Sequence, residues 1–163
     1  MDDQPQDSSN TQCLTNIMLD ERTVVRRSAE VEHERAVAIY DLLEENYFAP
    51  VGHEGPFSLH LSIEENRLKL DIRDEADQPL TAINLALSPF RRLVKDYFTV
   101  CETYFEAIRT ASPSRIESID MGRRALHNEG SEVLRERLDG KVALDLGTAR
   151  RLFTLICVLH IKG

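Results

Sequence analysis

Cysteine is scarce in this chain: Cys13, Cys101 and Cys157 are the only three, and no two form a CxxC pair. That leaves a disulfide framework or a cysteine-based zinc site without support. Cys101 and Cys157 fall within apolar helical patterns, which predicts small buried hydrophobes in a reducing compartment. The longest apolar run, LFTLICVLHI at 152–161, is well short of the roughly 20 residues that span a bilayer. The opening MDDQPQDSSNTQ has no apolar run, which argues against an ordinary secretory signal. Positive charge is also short, with 20 Lys+Arg against 28 Asp+Glu and a net charge of -8. A general phosphate-backbone binder presents a basic surface, so nucleic acid ranks last among partners. There is no Walker loop, no dinucleotide glycine fingerprint and no G-x-S-x-G elbow. The expectation is a cytoplasmic protein with no membrane attachment and no cofactor identifiable from its motifs.

What is present predicts an α+β fold. At 163 residues the chain is long enough to bury a substantial core as one domain. Residues 1–12 are expected to be a disordered tail and 13–163 a single domain. CLTNIML (13–19) is a first strand with imperfect alternation. Helix one should start after Ser28 as N-cap and run to about Asn46, with Ala36, Ile39, Tyr40 and Leu43 on its apolar face. A β-hairpin follows. Its apolar sets share one face only if Ile63 lies opposite Leu68, which leaves Glu65-Asn66 as the turn and sets His60 opposite Asp71. LTAINLAL (80–87) is a third strand, giving a short antiparallel sheet packed on one face.

The second half reads as helical. Ser88-Pro89 opens a helix carrying a broad apolar stripe from Phe90 through Tyr97 and Cys101 to Ile108. Ser112-Pro113 starts another, with Ser114 and Glu117 as a capping box. Asn128-Glu129-Gly130 should break it before a short helix, SEVLRERL. KVALDL is a further edge strand. The last helix, from about Thr148 to His160, is apolar nearly all round. It belongs either at the centre of the core or at a subunit interface.

Three groups of residues carry candidate chemistry. Glu30, His33 and Glu34 lie in the first turns of helix one, and Glu30-x-x-His33 has the spacing of a helical metal-ligand pair. No second such motif accompanies it. The competing explanation is favourable interaction of carboxylates with the helix dipole, with Glu34 paired to Arg35 or Arg27. His53, with Glu54, sits in the loop before the hairpin, and together with His33 and His60 could converge on a metal. Asp120, Arg123, Arg124 and His127 share one helical face at i, i+3, i+4 and i+7. Two guanidiniums beside a histidine suit a phosphate or carboxylate. The competing explanation is a solvated face with Asp120 bonded to Arg124. Gly122, mid-helix, implies a close helix–helix approach. Arg91-Arg92 and Arg150-Arg151 stand at helix starts, where cations oppose the dipole and mark a partner site unless Asp96 and Asp145, near each pair in sequence, balance them, which is the favoured reading.

Several phrases occur together and in order: VEHERAVAIYDLLEEN, GPFSLHLSI, LSPFRRLVKDYFTVCETYFEAI, IDMGRRALHNEGSEVLRERL and TARRLFTLICVLH. From about Leu19 to Gly163 the chain resembles a bacterial family of small proteins, uncharacterised protein family (UPF) 0262. The resemblance implies bacterial origin and a cytoplasmic location, and no activity, cofactor or catalytic residue.

Two functions compete on this reading. One is a binding or regulatory protein acting through a protein partner or a homodimer, covering apolar surface around Leu152, Phe153, Ile156 and Leu159. The other is a small enzyme or sensor for an anionic metabolite. It would use an Arg/His cleft of Arg123, Arg124 and His127, with Glu30, His33, Glu34 or His53 as acid–base or metal groups.

Overall fold

The computed structural model of the chain describes residues 11–21 and 28–160. The hairpin pairs β3 (Phe57–Glu64) with β4 (Arg67–Asp74), Ile63 facing Leu68 and His60 facing Asp71. Glu65 and Asn66 take φ of 52° and 63° in the turn between them. Two successive positive φ values match the right-handed twist of the flanking strands. The alternation that demanded this register places Leu59, Leu61, Leu68, Leu70 and Ile72 on one buried face. β5 (Pro79–Ala86) continues the antiparallel order, with Ile83 beside Leu70 and Leu85 beside Leu68.

The sheet is mixed rather than antiparallel throughout. β1 (Leu14–Leu19) pairs parallel to β3, and the order is β1-β3-β4-β5. A parallel neighbour needs a long crossover, here supplied by α1 (Ala29–Glu44). KVALDL does not join this sheet. Its strand β6 (Val142–Leu144) pairs with β2 (Phe48–Pro50) in a separate two-stranded ribbon. The predicted tail falls on residues 1–10, outside those described, except at its end. Gln12 is tied down: its side chain accepts from Gly55 N at 2.8 Å and donates to His53 O at 3.2 Å.

Three long helices complete the fold: α2 (Ser88–Thr110), α3 (Pro113–Leu138) and α4 (Leu146–His160). α1 and α3 both pack on α4, and α2 packs on α3. α4 takes the central position. Leu152, Phe153, Ile156 and Leu159 are each 2 % exposed or less within the single chain. They are therefore core, and the homodimer contact expected of them is not available. Asp145 caps α4 by accepting from Thr148 N at 3.3 Å.

Local sequence signals were misleading in four other places. The α3 helix runs unbroken through Asn128, Glu129 and Gly130. Its cap is Ser112, which accepts from Arg115 N, rather than Ser114. Residue Leu87, without a side-chain bond, precedes α2 where Ser88 was expected to cap. On α1 the buried residues are Ala38 and Leu42, whereas Tyr40 is 65 % exposed and Leu43 and Ala36 also face outward.

The close helix approach is at Gly130, not Gly122. A Cβ at Gly130 would overlap the Phe153 ring, and nothing lies within 4 Å of one at Gly122. Gly122 is therefore an exposed helix glycine with no packing role. Gly130→Ala should destabilise the fold by about 1–3 kcal/mol through overpacking. Gly122→Ala should stabilise it by about 0.5–1 kcal/mol through helix propensity. Urea unfolding of both variants measures the two opposite signs.

Candidate functional site

Packing of α1 across α3 and α4 leaves a cleft of about 640 Å³. Helical spacing fixes who lines it. His33, Glu34, Val37, Ala38 and Asp41 recur on one face of α1. Arg123, Arg124, His127 and Asn128 do so on α3, and Gly147, Arg150, Arg151 and Thr154 on α4. Tyr97 of α2 closes the base.

The buried end is aromatic. The His127 ring centroid lies 5.3 Å from that of Tyr97 and 5.5 Å from that of Phe153. His127 Nε2 is 2.7 Å from Thr154 Oγ1. The Thr154 hydroxyl is in turn 3.2 Å from Arg150 O. The hydroxyl has one proton, so His127 Nε2–H donates to Thr154 when that proton goes to Arg150 O, and Nε2 accepts when it does not. Burial, then the charges of Arg123 and Arg150, push the His127 pKa down to about 4. The imidazole is thus neutral at physiological pH.

Arginine surrounds this histidine. Arg123 donates to Asp120 Oδ1 from Nε at 3.0 Å and from Nη2 at 2.6 Å. Its Cζ lies 4.9 Å from the Tyr104 ring centroid. Arg124 Nε is 3.2 Å from the other oxygen of Asp120. Arg150 Nε donates to the neutral Asn128 Oδ1 at 2.9 Å. Among the described residues, Arg150 and Arg151 make no ion pair. The Gly147 position leaves room for the Arg151 guanidinium, since a Cβ there would be 2.9 Å from its Nη1.

The α1 wall carries the opposite charge. Glu34 accepts a long hydrogen bond from Tyr97 Oη at 3.5 Å. Burial raises its pKa, against the opposing pull of Arg123 and this bond. Burial, then the charge of Glu34, pushes the Tyr97 phenol well above its usual range, so it remains a donor. The expected pairing of Glu34 with Arg35 does not form. Arg35 instead grips Glu21, through Nε at 3.0 Å and Nη2 at 2.6 Å. Arg27 lies outside the described residues.

Of the residues singled out by sequence, the cleft gathers His33, Glu34, Arg123, Arg124 and His127. Glu30 and His53 do not line it. Glu30 lies in the first turn of α1, and His53 sits in the loop after β2, its N–H donating to Pro50 O at 3.3 Å. The metal convergence entertained for His33, His53 and His60 is not found: no three His, Cys, Asp or Glu side chains come together as a metal ion requires among the described residues. Sequence reasoning favoured balance of Arg150 and Arg151 by nearby Asp145, with which they make no direct ion pair among the described residues, and it read Tyr97 as core alone. Opposed dipole charge at the start of α4 was the available signal for the arginines.

The family model described as Uncharacterised protein family (UPF0262) matches residues 11–162. A relative from Rhodospirillum rubrum is 64% identical over 154 residues, 94% of this chain and 96% of the relative. One from Paramagnetospirillum magneticum is 62% identical, covering 93% of this chain and 98% of its own. One from Xanthobacter autotrophicus is 56% identical over the full length of both. Each carries the family name and no activity. No solved structure matches the chain. Among the described residues no helix is long and apolar enough to cross a membrane.

His127 gives the fold a pH signature. Its folded pKa of about 4 lies below the unfolded value of 6.5. The unfolded chain therefore binds the proton first, and stability that is complete above pH 6.5 is lost as pH falls toward 4. The loss attributable to this residue is about 3 kcal/mol. Glu34, with its raised pKa, works in the opposite direction over part of the acid range. The difference between wild type and His127→Gln isolates the histidine. Urea midpoints at steps from pH 7 to pH 4 should diverge, with wild type losing more; parallel curves would contradict the buried neutral imidazole.

Proposed function

This chain belongs to the Uncharacterised protein family (UPF0262), whose name assigns no activity, and from the geometry of its cleft we propose that it binds a small anionic metabolite between α1 and the α3–α4 pair. The observation that carries this is the convergence of Arg123, Arg124, Arg150 and Arg151 on one cleft of a chain with net charge -8. An acidic surface repels anions, so a local concentration of guanidiniums is where an anion binds. Asp120 shares its single charge between Arg123 and Arg124 and takes part of their donors. Arg150 and Arg151 retain donors for a carboxylate or phosphate, which the planar guanidinium engages through two parallel bonds. His127, held neutral, adds a hydrogen-bonding group without a further charge. Glu34 and His127 also supply the two titratable groups of an acid–base step, so the same pocket serves a sensor or an enzyme.

A second role, docking of a protein partner or a second copy, is favoured by one feature: the outward face of α1, where Tyr40 is 65 % exposed beside Leu43 and Ala36. For both roles we propose a cytoplasmic setting, supported by the buried thiols of Cys101 and Cys157, which form no disulfide. Cell fractionation with an antibody to the chain tests the setting.

Calorimetric titration with inorganic phosphate and with citrate at low salt tests the anion site. Saturable binding is expected, weakened about tenfold or more in the double variant Arg150→Gln, Arg151→Gln. No saturable heat with either anion would overturn the proposal. Light scattering tests self-association: a dimer that Tyr40→Glu dissociates supports it, and a monomer at all concentrations rejects it.

A further inference from the structure

The two walls of the cleft hold opposite charges, and among the described residues no direct ion pair joins them. On the α4 wall, Arg150 is held by a neutral amide, and neither it nor Arg151 has an ion-pair partner among the described residues. On the α1 wall, Glu34 and Asp41 likewise make no ion pair among the described residues. Glu34 is half-buried, and among the described residues its one side-chain hydrogen bond is the 3.5 Å contact from Tyr97. Arg123, whose charge acts on it most strongly, is already committed to Asp120 by two N–H bonds. A half-buried carboxylate with no direct ion pair among the described residues is costly to keep charged, even with Arg123 and His33 acting on it from a distance, and a ligand that brought only negative charge would raise that cost. A ligand that brought an ammonium group would remove it. Between Glu34 and Asp41, on the same face, Val37 and Ala38 present apolar surface for a carbon skeleton.

Building on the anion site proposed above, we infer that the ligand is a zwitterion, its carboxylate or phosphate held by Arg150 and Arg151 and its protonated amine held by Glu34. The assignment makes Glu34 a specificity determinant, selecting aminated anions over plain ones. It also explains why α1 buries only Ala38 and Leu42 and turns acidic side chains toward a wall of arginines.

Calorimetry on the full chain tests this with matched probes: aminoethyl, aminopropyl and aminobutyl phosphonates against ethyl, propyl and butyl phosphonates. For at least one chain length the amino form should bind about tenfold tighter or more. In Glu34→Gln that ratio should fall to about one, with alkyl phosphonate affinity unchanged or improved. This variant separates the effect of the carboxylate from the different acidities of the two probe series. Its thermal melt confirms that it folds, and the wild-type ratio stands as a test by itself. Equal or tighter binding of the alkyl form at every length would overturn the inference, as would a preference that survives Glu34→Gln. If anions bind without any amine preference, the zwitterion inference fails and the anion site stands. If no phosphonate, phosphate or citrate binds, both fail.

Discussion

The α4 helix offers almost no face to water, and the other helices are arranged to meet that constraint. Leu155, Ile156, Cys157, Val158 and Leu159 are buried in succession, so neighbours must cover it from several directions. A helix that is apolar all round is stable only when enclosed. α1 covers one side and α3 another, and the β2–β6 ribbon fixes where α4 begins. The tightest of these contacts is Gly130 under the Phe153 ring, where a single added methyl group has no space. Burial of the apolar surface stabilises the arrangement at roughly 25 cal/mol per Å². Close packing of Phe153 with Tyr97 and His127 selects one geometry among those that burial alone would allow.

The cleft follows from that geometry. Arg150, Arg151 and Thr154 lie in the first two-thirds of α4 and line the cleft together with α1 and α3. His127 is anchored from below by the same aromatic cluster that locks the core. Its neutrality is a product of packing: burial and two guanidiniums disfavour the imidazolium. Core stability and site electrostatics therefore share residues, and substitutions at Phe153 or Tyr97 should disturb both.

The sequence was most legible where pairing is local. The hairpin register followed from alternation on two adjacent strands with a turn between them, so Ile63 opposite Leu68 could be read directly. The parallel pairing of β1 with β3 and the β2–β6 ribbon join distant segments, and no local pattern encodes them. α1 was misread for a different reason. Its apolar periodicity runs through Ala36, Ile39, Tyr40 and Leu43, yet its inner face includes Glu34 and Asp41 because it walls a cleft. Gly122 and Gly130 were indistinguishable by propensity; only the position of Phe153, twenty-odd residues on, separates them. On α3 the shared face of Arg123, Arg124 and His127 was visible from spacing. The facing arginines of α4 were not, because α3 and α4 meet only in the folded chain.

The central claim is that Arg150 and Arg151 form an anion site in this cleft while the Nε–H of Arg123 is held by Asp120. Nuclear magnetic resonance of the arginine Nε–Hε groups, titrated with inorganic phosphate at low ionic strength, tests it residue by residue. The Nε–Hε resonances of Arg150 and Arg151 should shift together and saturably, with that of Arg123 nearly fixed and exposed Arg91 and Arg92 showing only weak linear drift. Small, unsaturated shifts spread evenly over all these arginines would mean that the cleft is a solvated charged surface and not a binding site.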